Sequence, residues 1–384
     1  MKTSKLRILT THVGSLPRPE DLLEMLRQED RGEAVDQQAL HARTTSAVKQ
    51  VVADQVASGV DVVCDGEMSK ISYHVYARHR LAGLSATDGT GVPGRPMQRD
   101  MADFPGLAEF AMRGGTELMK ATVCTGPVSY ADPVPLERDI ANLKAAAAAS
   151  APTDVFMNAV SPGCLSTYVP NMYYPSRDEY REDLIEALRP EYNAIHEAGF
   201  VLQVDCPDLA GARHTDYQAM DDAEFLADAE KSVEALNAAT SDIPPEAMRM
   251  HICWLNYAGP HTHDIPVKKL FGLLAKARPQ GILFEGANPR HEHEWEDFKS
   301  TRLLDDKVLI PGVIDSTSNF VEHPRLVAQR ICNYANVVGR ERVIAGSDCG
   351  FGTYAGRRGV FPPVVLAKFQ AMAEGARIAS ERLW

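Results

Sequence analysis

The segment MRMHICWLN, residues 248–256, indicates the fold because a strand-like run ends in polar side chains. Its first half has the apolar character of a buried β-strand, and His251, Cys253 and Asn256 follow at its end. His251 and Cys253 are two residues apart, so their side chains point to the same face of a strand. One such ending means little, and its value depends on whether other strands end in the same way.

Seven of the eight predicted strands end in polar groups of this kind. These groups are His12 and Ser15, Asp65 and Glu67, Asp205 and Asp208, His251 with Cys253 and Asn256, Glu285 and Asn288, Asp315, and Asp348 with Cys349. Amphipathic helices alternate with the strands, which is typical of a parallel sheet. In a (β/α)8 barrel all strand ends converge on one active site, whereas an open sheet directs only some of them to its crevice. The sequence therefore predicts an α/β fold of the (β/α)8 TIM-barrel type.

The predicted barrel carries an insertion between its second and third strands. Residues 81–154 contain the Gly- and Pro-rich segment TDGTGVPGRP, a strand-like run KATVCTGPVSY and an alanine-rich helix. We expect this insertion to form a hairpin and one helix. No linker divides the chain, so residues 1–384 are predicted to form a single catalytic barrel domain, a size that barrels with insertions reach.

Composition excludes several classes of function. The formal net charge is -12 and no Lys/Arg-rich run occurs, which argues against nucleic acid and anionic membranes as partners. No apolar stretch approaches about 20 residues, and the first apolar run is too short for a signal peptide. The seven cysteines are scattered without a CxxC pair, so we expect a reducing, cytoplasmic location. Exposed barrel helices often dimerise, so both a monomer and a homo-oligomer are considered.

Four side chains at the strand ends suit a metal ion. A buried histidine and cysteine are commonly plain core residues, so His251 and Cys253 alone are a weak signal. Cys349 ends the last strand before two glycines, and Glu285 ends the apolar run GILF, where a carboxylate needs a partner. Thiolates combined with an imidazole suit zinc.

Here the chain resembles a known family. The segments TTHVGSLPRP, DGE, QVDCP, HIC and DCG occur in the order and strand context of the catalytic barrel of cobalamin-independent methionine synthase and its single-domain relatives. The resemblance implies Zn²⁺ as cofactor, with the ligands His251, Cys253, Glu285 and Cys349. It also implies a substrate thiol whose carboxylate lies near Ser15 and whose ammonium group is bound by Glu67 and Asp205.

The implied activity is that of a zinc-dependent S-alkyltransferase. A small-molecule thiol, homocysteine in the leading interpretation, is activated as a thiolate and receives a methyl group to form methionine. The second partner is an alkyl donor. The sequence contains neither a GxGxxG motif nor a phosphate-binding P-loop, and this chemistry requires neither.

Three departures from the family leave the alkyl donor open. Its DEP motif reads Asp205-Cys206-Pro207 here, and the tryptophan that stacks on the folate ring is absent. A donor pocket is instead predicted from Tyr168, Tyr173, Tyr174 and Trp295. Ser316 or Thr317 replaces the family's proton-donating histidine, so the candidate catalytic residues are His291, His293 and His323. The segment GPHTHD holds His261 and His263, for which a second metal site and a plain loop are both considered.

Three other interpretations compete with methyl transfer to homocysteine. The first keeps the zinc thiolate and changes the partners, as in enzymes that open an epoxide with coenzyme M. The second is a metal-free lyase, because uroporphyrinogen decarboxylase shares the barrel superfamily; that enzyme needs basic residues, and the strand ends here are mainly acidic. The third is a zinc-binding protein without catalysis, whose metal site should have no position free for a thiol.

Overall fold

The structure is a computed structural model that describes residues 1–87, 98–107, 109, 120–355 and 359–384. Its main sheet has eight strands, hydrogen-bonded in the order β1-β10-β9-β8-β7-β6-β5-β2, and every neighbouring pair is parallel. The strands are β1 (Leu9–Thr10), β2 (Val62–Val63), β5 (Asp154–Val160), β6 (Val201–Asp205), β7 (Met248–His251), β8 (Gly281–Phe284), β9 (Val308–Ile314) and β10 (Ile344–Ser347), with β3 (Leu81–Thr87) and β4 (Ala121–Tyr130) in a second sheet.

The two outer strands of this order, β1 and β2, also approach each other. The backbone N–H of Asp61 donates to the carbonyl of Thr10 at 3.1 Å. The hydroxyl of Thr11 donates to the carbonyl of Val62 at 2.9 Å. The chain thus has an α/β fold with a parallel sheet that is consistent with a TIM-like barrel, as the alternation of strands and helices predicts.

Ten α-helices occur in the described residues. They are α1 (Glu20–Arg31), α2 (Gln37–Ala57), α3 (Gln98–Asp103), α4 (Val134–Ser150), α5 (Pro162–Tyr168), α6 (Arg177–Glu197), α7 (Asp222–Ala239), α8 (Val267–Lys276), α9 (Pro324–Val338) and α10 (Pro362–Leu383). Several begin at a side-chain cap that the sequence encodes locally. Asp221 and Glu224 form a capping box on α7, and Asp36 accepts from the N–H of Ala39 on α2. Within the described residues, no helix has the length and apolar character needed to cross a membrane.

A smaller sheet follows β2 in the sequence. β3 and β4 pair antiparallel, with Leu81 opposite Tyr130 and Thr87 opposite Ala121, and α4 comes next. Part of the predicted insertion at 81–154, namely residues 88–97, 108 and 110–119, lies outside the described residues. The insertion as one unit and the single domain over 1–384 therefore stay predictions.

A buried arginine connects strands inside the parallel sheet. Arg249 on β7 donates to Gln203 Oε1 at 2.8 Å, to Thr11 Oγ1 at 2.9 Å and to the carbonyl of His12 at 3.0 Å, and its guanidinium lies 3.5 Å from the ring centre of Phe156. Burial lowers the pKa of Arg249 to about 9. These hydrogen bonds connect β6 and β7 to the segment that follows β1.

Candidate metal centre and substrate pocket

Four predicted ligands lie together at the carboxyl ends of β7, β8 and β10. We call His251, Cys253, Glu285 and Cys349 the cysteine site. The two Sγ atoms are 3.6 Å apart, and Cys253 Sγ is 3.9 Å from Glu285 Oε1. Ligand atoms of His251, Cys253 and Cys349 all lie within 4.8 Å of one another, and the four residues are buried. The structure thus brings together side chains that are up to 98 positions apart in the sequence.

The spacing of these atoms fits a tetrahedral ion. With Zn–S bonds of about 2.3 Å, two thiolates on one zinc would be about 3.8 Å apart, close to the observed 3.6 Å. Among the described residues, the buried Nε2 of His251 has no hydrogen-bond partner, so it is free to act as a ligand atom. The donor set of sulfur, imidazole and carboxylate is compatible with zinc.

The two thiols of the cysteine site differ in their electrostatics. A hydrogen bond from Cys253 lowers the pKa of Cys349 to about 6, and the same bond together with burial raises the pKa of Cys253 well above its usual value. The Cys349 thiol therefore ionises more readily than the Cys253 thiol. A buried thiol that already ionises near neutral pH is a ready metal ligand.

Glu285 is held by three donors. Its Oε1 accepts from the N–H of Trp254 at 3.0 Å. Its Oε2 accepts from Asn288 Nδ2 at 2.8 Å and from Arg290 Nη2 at 2.8 Å. Hydrogen bonds of this kind orient a ligand side chain and are part of what makes a metal site selective.

Asp348 fixes the loop that carries Glu285. Its two carboxylate oxygens accept from the N–H groups of Gly286, Ala287 and Asn288 at 2.7–2.9 Å and from Asn288 Nδ2 at 2.8 Å. This aspartate directly precedes Cys349. The loops after β8 and β10 are therefore joined by four hydrogen bonds to one buried carboxylate.

Ser15 and Asp205, two of the predicted substrate contacts, adjoin the cysteine site. Ser15 accepts the N–H of Phe351 at 2.8 Å through its carbonyl, and its hydroxyl fills the space that a Cβ at Gly350 would need. Asp205 ends β6, and its Oδ1 is 3.8 Å from Nδ1 of His251. Both predicted contacts thus lie next to a predicted ligand.

Glu67, the third predicted contact, lies in a strained and buried turn. Its φ of 57° is in the left-handed region, which a residue with a side chain rarely adopts. Burial raises its pKa to about 7, and among the described residues its Oε2 accepts no hydrogen bond, with Arg18 Nη2 3.6 Å away. The N–H of Leu16 donates to Gly66 at 3.0 Å, which places this turn beside Ser15. Glu67 thus presents a carboxylate oxygen that accepts no hydrogen bond among the described residues and could bind a cationic group.

Sequence reasoning missed Arg18 and the role of Asn256. Arg18 is buried in the segment SLPRP and donates to the carbonyl of Lys70 at 2.9 Å, and a charged residue in an apolar run was the available signal. Asn256 Oδ1 accepts from the hydroxyl of Ser316 at 2.9 Å, and Ser316 Oγ accepts the N–H of Cys349 at 3.1 Å. These contacts support the turn that carries Cys349.

The predicted donor-pocket aromatics are dispersed. Tyr174 donates to Asp183 at 2.5 Å and stacks on Tyr180, and Tyr173 is exposed. Tyr168 is half-buried and donates to the carbonyl of Pro207 at 3.4 Å, beside the end of β6. Trp295, the fourth predicted residue, packs under the ammonium group of Lys299 at 4.1 Å. The partner of Tyr168, Pro207, is two residues from the predicted site residue Asp205.

The three candidate proton donors have different surroundings. His291 is buried, with Nδ1 2.9 Å from Glu294 Oε2 and Nε2 3.1 Å from Asp264 Oδ2. Burial alone would lower its pKa, but these two hydrogen bonds outweigh burial and raise the pKa to about 10. His293 is exposed, and so is His323, whose Nδ1 accepts the N–H of Arg325 at 3.2 Å and caps α9. Their catalytic roles stay predictions.

Comparison with known proteins supports the family suggested by the motifs. The family model described as the catalytic domain of cobalamin-independent synthase matches residues 8–93. The predicted resemblance to the cobalamin-independent methionine synthase family is confirmed. A methionine synthase of Sulfolobus acidocaldarius is 25% identical over 264 residues, which span 68% of this chain and 66% of that protein. One of Sulfurisphaera tokodaii is 25% identical over 322 residues, or 83% of this chain and 78% of that protein.

Solved structures of methionine synthases have the same fold. The B12-independent methionine synthase of Shewanella sp. W3-18-1, in complex with selenomethionine, aligns with a TM-score of 0.72 at 19% identity, covering 98% of this chain and 99% of that one. A putative B12-independent methionine synthase of Listeria monocytogenes aligns with a TM-score of 0.64 at 18% identity, with the same coverage. The likeness extends over nearly the whole length of this chain.

Proposed function

We propose that this chain is a zinc-dependent methyltransferase that methylates the thiol of homocysteine to form methionine. The observation that supports this proposal most is the pairing of Cys253 and Cys349 at 3.6 Å beside Glu285 and His251. Methionine synthases are also the named relatives of the chain in both sequence and fold.

The chemistry follows from the donor set. Zinc, when bound, supplies the charge that favours the ionised form of a substrate thiol at neutral pH. Two thiolates and one carboxylate outweigh that charge, so the ligands leave a thiol electron-rich and able to attack a methyl carbon. Trp254, Asn288 and Arg290 keep Glu285 oriented while this occurs.

The amino-acid end of homocysteine has suitable partners. Glu67 and Asp205 are buried acids that would bind the substrate's ammonium group, and the backbone near Ser15 would bind its carboxylate. Burial raises the pKa of Glu67 to about 7, and an ammonium group would favour its ionised form. Coenzyme M has no ammonium group, so these two acids favour homocysteine over the thiol of an epoxide-opening enzyme.

The leaving group of a methyl-folate requires a proton, whereas that of methylcobalamin leaves with the electron pair of the cobalt–carbon bond and requires none. His293 and His323 are exposed, so each can exchange protons with solvent, and we propose them as candidate donors. His291 is buried and both of its nitrogens contact carboxylates, so we give it a positioning role. The methyl donor itself stays open between a methyl-folate and methylcobalamin.

We also propose that the fold is a complete (β/α)8 barrel, that residues 1–384 form one domain and that residues 81–154 form an insertion. For the location of the protein we propose the cytoplasm.

The decisive experiment compares two thiols and several donors. Zinc-loaded protein is titrated with homocysteine and with coenzyme M by calorimetry, and each thiol is then assayed with methyl-folate, methylcobalamin and a small epoxide. We expect homocysteine to bind and to yield methionine with one of the methyl donors. Binding of coenzyme M alone, or turnover of the epoxide alone, would contradict the proposal. Glu67→Gln should weaken homocysteine binding, whereas the exposed control Glu33→Gln should not.

A further inference from the structure

A second group of histidine and aspartate side chains lies beside the cysteine site. We call His214, His261, Asp264 and His291 the histidine cluster. His214 ends the short helical turn Gly211–His214 after β6, His261 and Asp264 lie in the loop after β7, and His291 lies in the loop after β8. All four are at least largely buried, although they belong to three separate loops.

Three imidazoles surround the carboxylate of Asp264. Nδ1 of His261 is 3.0 Å from each of its oxygens, and Nε2 of His291 is 3.1 Å from Oδ2. Nδ1 of His214 is 3.4 Å from Oδ1. Ligand atoms of His214, His261 and Asp264 all lie within 4.8 Å of one another. The cluster therefore has a centre at which nitrogen and oxygen atoms converge.

The rings of His261 and His291 are oriented by hydrogen bonds from the nitrogen that faces away from Asp264. Nε2 of His261 is 2.9 Å from the carbonyl of Tyr257, an acceptor, so this nitrogen carries a hydrogen. Nδ1 of His291 is 2.9 Å from Glu294 Oε2, which likewise requires a hydrogen. Histidine ligands commonly donate their outer N–H to a carbonyl or carboxylate in this way, which for His261 leaves Nδ1 for the metal. For His291 it directs Nε2 to Asp264.

His214 provides an independent indication that a ligand is bound. Its side chain is 3% exposed, yet among the described residues neither of its ring nitrogens makes a hydrogen bond. Burial of a polar group without a hydrogen bond is costly, so a buried imidazole whose nearest carboxylate oxygen is 3.4 Å away and whose Nε2 has no partner among the described residues calls for a ligand. One of these nitrogens faces Asp264, where the other two imidazoles also point.

We propose that the histidine cluster is a second metal site, in which His214, His261 and Asp264 bind a divalent first-row ion such as zinc or iron(II) and His291 holds Asp264 in place. With metal–ligand bonds of about 2.0–2.1 Å, neighbouring ligand atoms of a tetrahedral site are about 3.3 Å apart. The distances of 3.0 and 3.4 Å from Nδ1 of His261 and Nδ1 of His214 to Asp264 are close to this spacing. Imidazole with carboxylate suits zinc or iron better than it suits calcium.

The position of the site indicates a structural role. Its ligands come from the loops after β6 and β7, and His291 and Arg290 from the loop after β8 contact the same carboxylate of Asp264. Arg290 lies between the two sites, with Nη2 2.8 Å from Glu285 Oε2 and Nη1 3.9 Å from Asp264 Oδ2. The ion would join the loops after β6 and β7 and, through Asp264, hold Arg290 against Glu285. This inference concerns a different set of ligands and does not depend on the methyl-transfer proposal.

The first test counts metal ions by mass spectrometry of purified protein. We expect two ions per chain in the wild type and one in the double variant Cys253→Ser, Cys349→Ser. His214→Phe, which keeps a planar ring and removes both nitrogens, should also retain one. The matched control is His263→Phe in the same loop, because His263 Nε2 pairs with Asp103 at 2.6 Å outside the cluster. That control should retain two ions. Wild-type stoichiometry in a folded His214→Phe protein would overturn the proposal.

The second test needs no variant and thus does not depend on a variant's folding. Metal-free wild-type protein is titrated with cobalt(II) and followed by absorption. We expect two phases, one with thiolate-to-cobalt charge-transfer bands from the cysteine site and one with only weak ligand-field bands. A single phase that carries charge-transfer bands would overturn the second site. A single phase without them would instead contradict the cysteine site and leave the histidine site supported.

Discussion

The cysteine site and the histidine cluster lie at the same end of the sheet and differ in how the chain builds them. The cysteine site uses the ends of strands β7 and β8 and the turn after β10, so the sheet itself sets its distances. The histidine cluster uses loops, with His261 in a left-handed conformation at a φ of 54°. The difference lies in how closely the ligands follow the strands: those of the cysteine site lie on β7 or within two residues of the ends of β7, β8 and β10, whereas those of the histidine cluster lie in the loops beyond them.

The largest expected effect comes from removing both thiols. In Cys253→Ser, Cys349→Ser, we expect methyl transfer to fall by roughly a thousandfold or more, since metal activation of the thiol is lost. Initial rates with homocysteine measure this. Cys332→Ser, which changes a half-buried cysteine on α9, is the control and should keep its rate. A double variant with near-normal activity would refute the thiolate mechanism.

A large effect with a defined pH dependence is expected from Glu67→Gln. Burial raises the pKa of Glu67 in the folded protein to about 7 from its usual 4.5, so the folded state holds a proton that the unfolded state has released. Its contribution to stability is therefore full below about pH 4.5 and is lost as the pH rises through 7. The shift in the pKa of Glu67 from 4.5 to about 7 corresponds to about 3 kcal/mol in the free energy of unfolding.

Urea unfolding at pH 5 and pH 8 without substrate tests this expectation. The Gln variant should gain stability relative to the wild type between these two pH values. An equal difference at both would show that Glu67 does not titrate in this range.

A moderate effect on metal binding is expected from Asp348→Asn. An amide cannot accept all four hydrogen bonds from Gly286, Ala287 and Asn288, so the loop that carries Glu285 should lose its fixed position. We expect the zinc affinity of the cysteine site to fall by about 10–100-fold. Competition with a chelator measures it. Unchanged affinity would show that the loop keeps its shape without Asp348.

A smaller effect is expected from Arg290→Lys, which tests whether Arg290 contributes to the metal affinity of both sites. Lysine keeps the charge but lacks the planar guanidinium group, whose two terminal nitrogens contact Glu285 and Asp264 at the same time. We expect about a tenfold loss of metal affinity at the cysteine site, within the range for residues that orient ligands. The cobalt titration should show the same shift in the charge-transfer phase. A shift in the other phase alone would place Arg290 with the histidine cluster only.

The smallest effect is expected from His323→Ala, which separates capping from proton donation. Loss of the bond to the N–H of Arg325 should cost about 1 kcal/mol of stability. As a candidate proton donor, His323 is compared with His293→Ala in the same assay. A fall in kcat for one variant, with KM unchanged, identifies the donor. If neither variant lowers kcat, neither residue is the proton donor.

The cysteine site could be predicted because strand periodicity fixes which side chains share a face. His251 and Cys253 are two apart, and the ends of parallel strands converge, so short motifs sufficed to place Glu285 and Cys349 nearby. The histidine cluster could not be predicted in the same way. His261 and His263 form an H-x-H pair, yet the loop directs His261 inward and His263 toward Asp103, because no regular period governs loop conformation. His214 gave no signal at all.

Asp348 also has a consequence for the order in which the molecule assembles. The Cys253–Glu285 contact spans 32 positions and the Cys253–Cys349 contact spans 96, so the site depends on long-range closure of the chain. During synthesis, a chain that has not yet reached Asp348 has neither the fourth ligand nor the carboxylate that shapes the Glu285 loop. The metal is therefore expected to bind late in folding. The rate at which the folding chain takes up the metal should then follow the rate at which the sheet is completed.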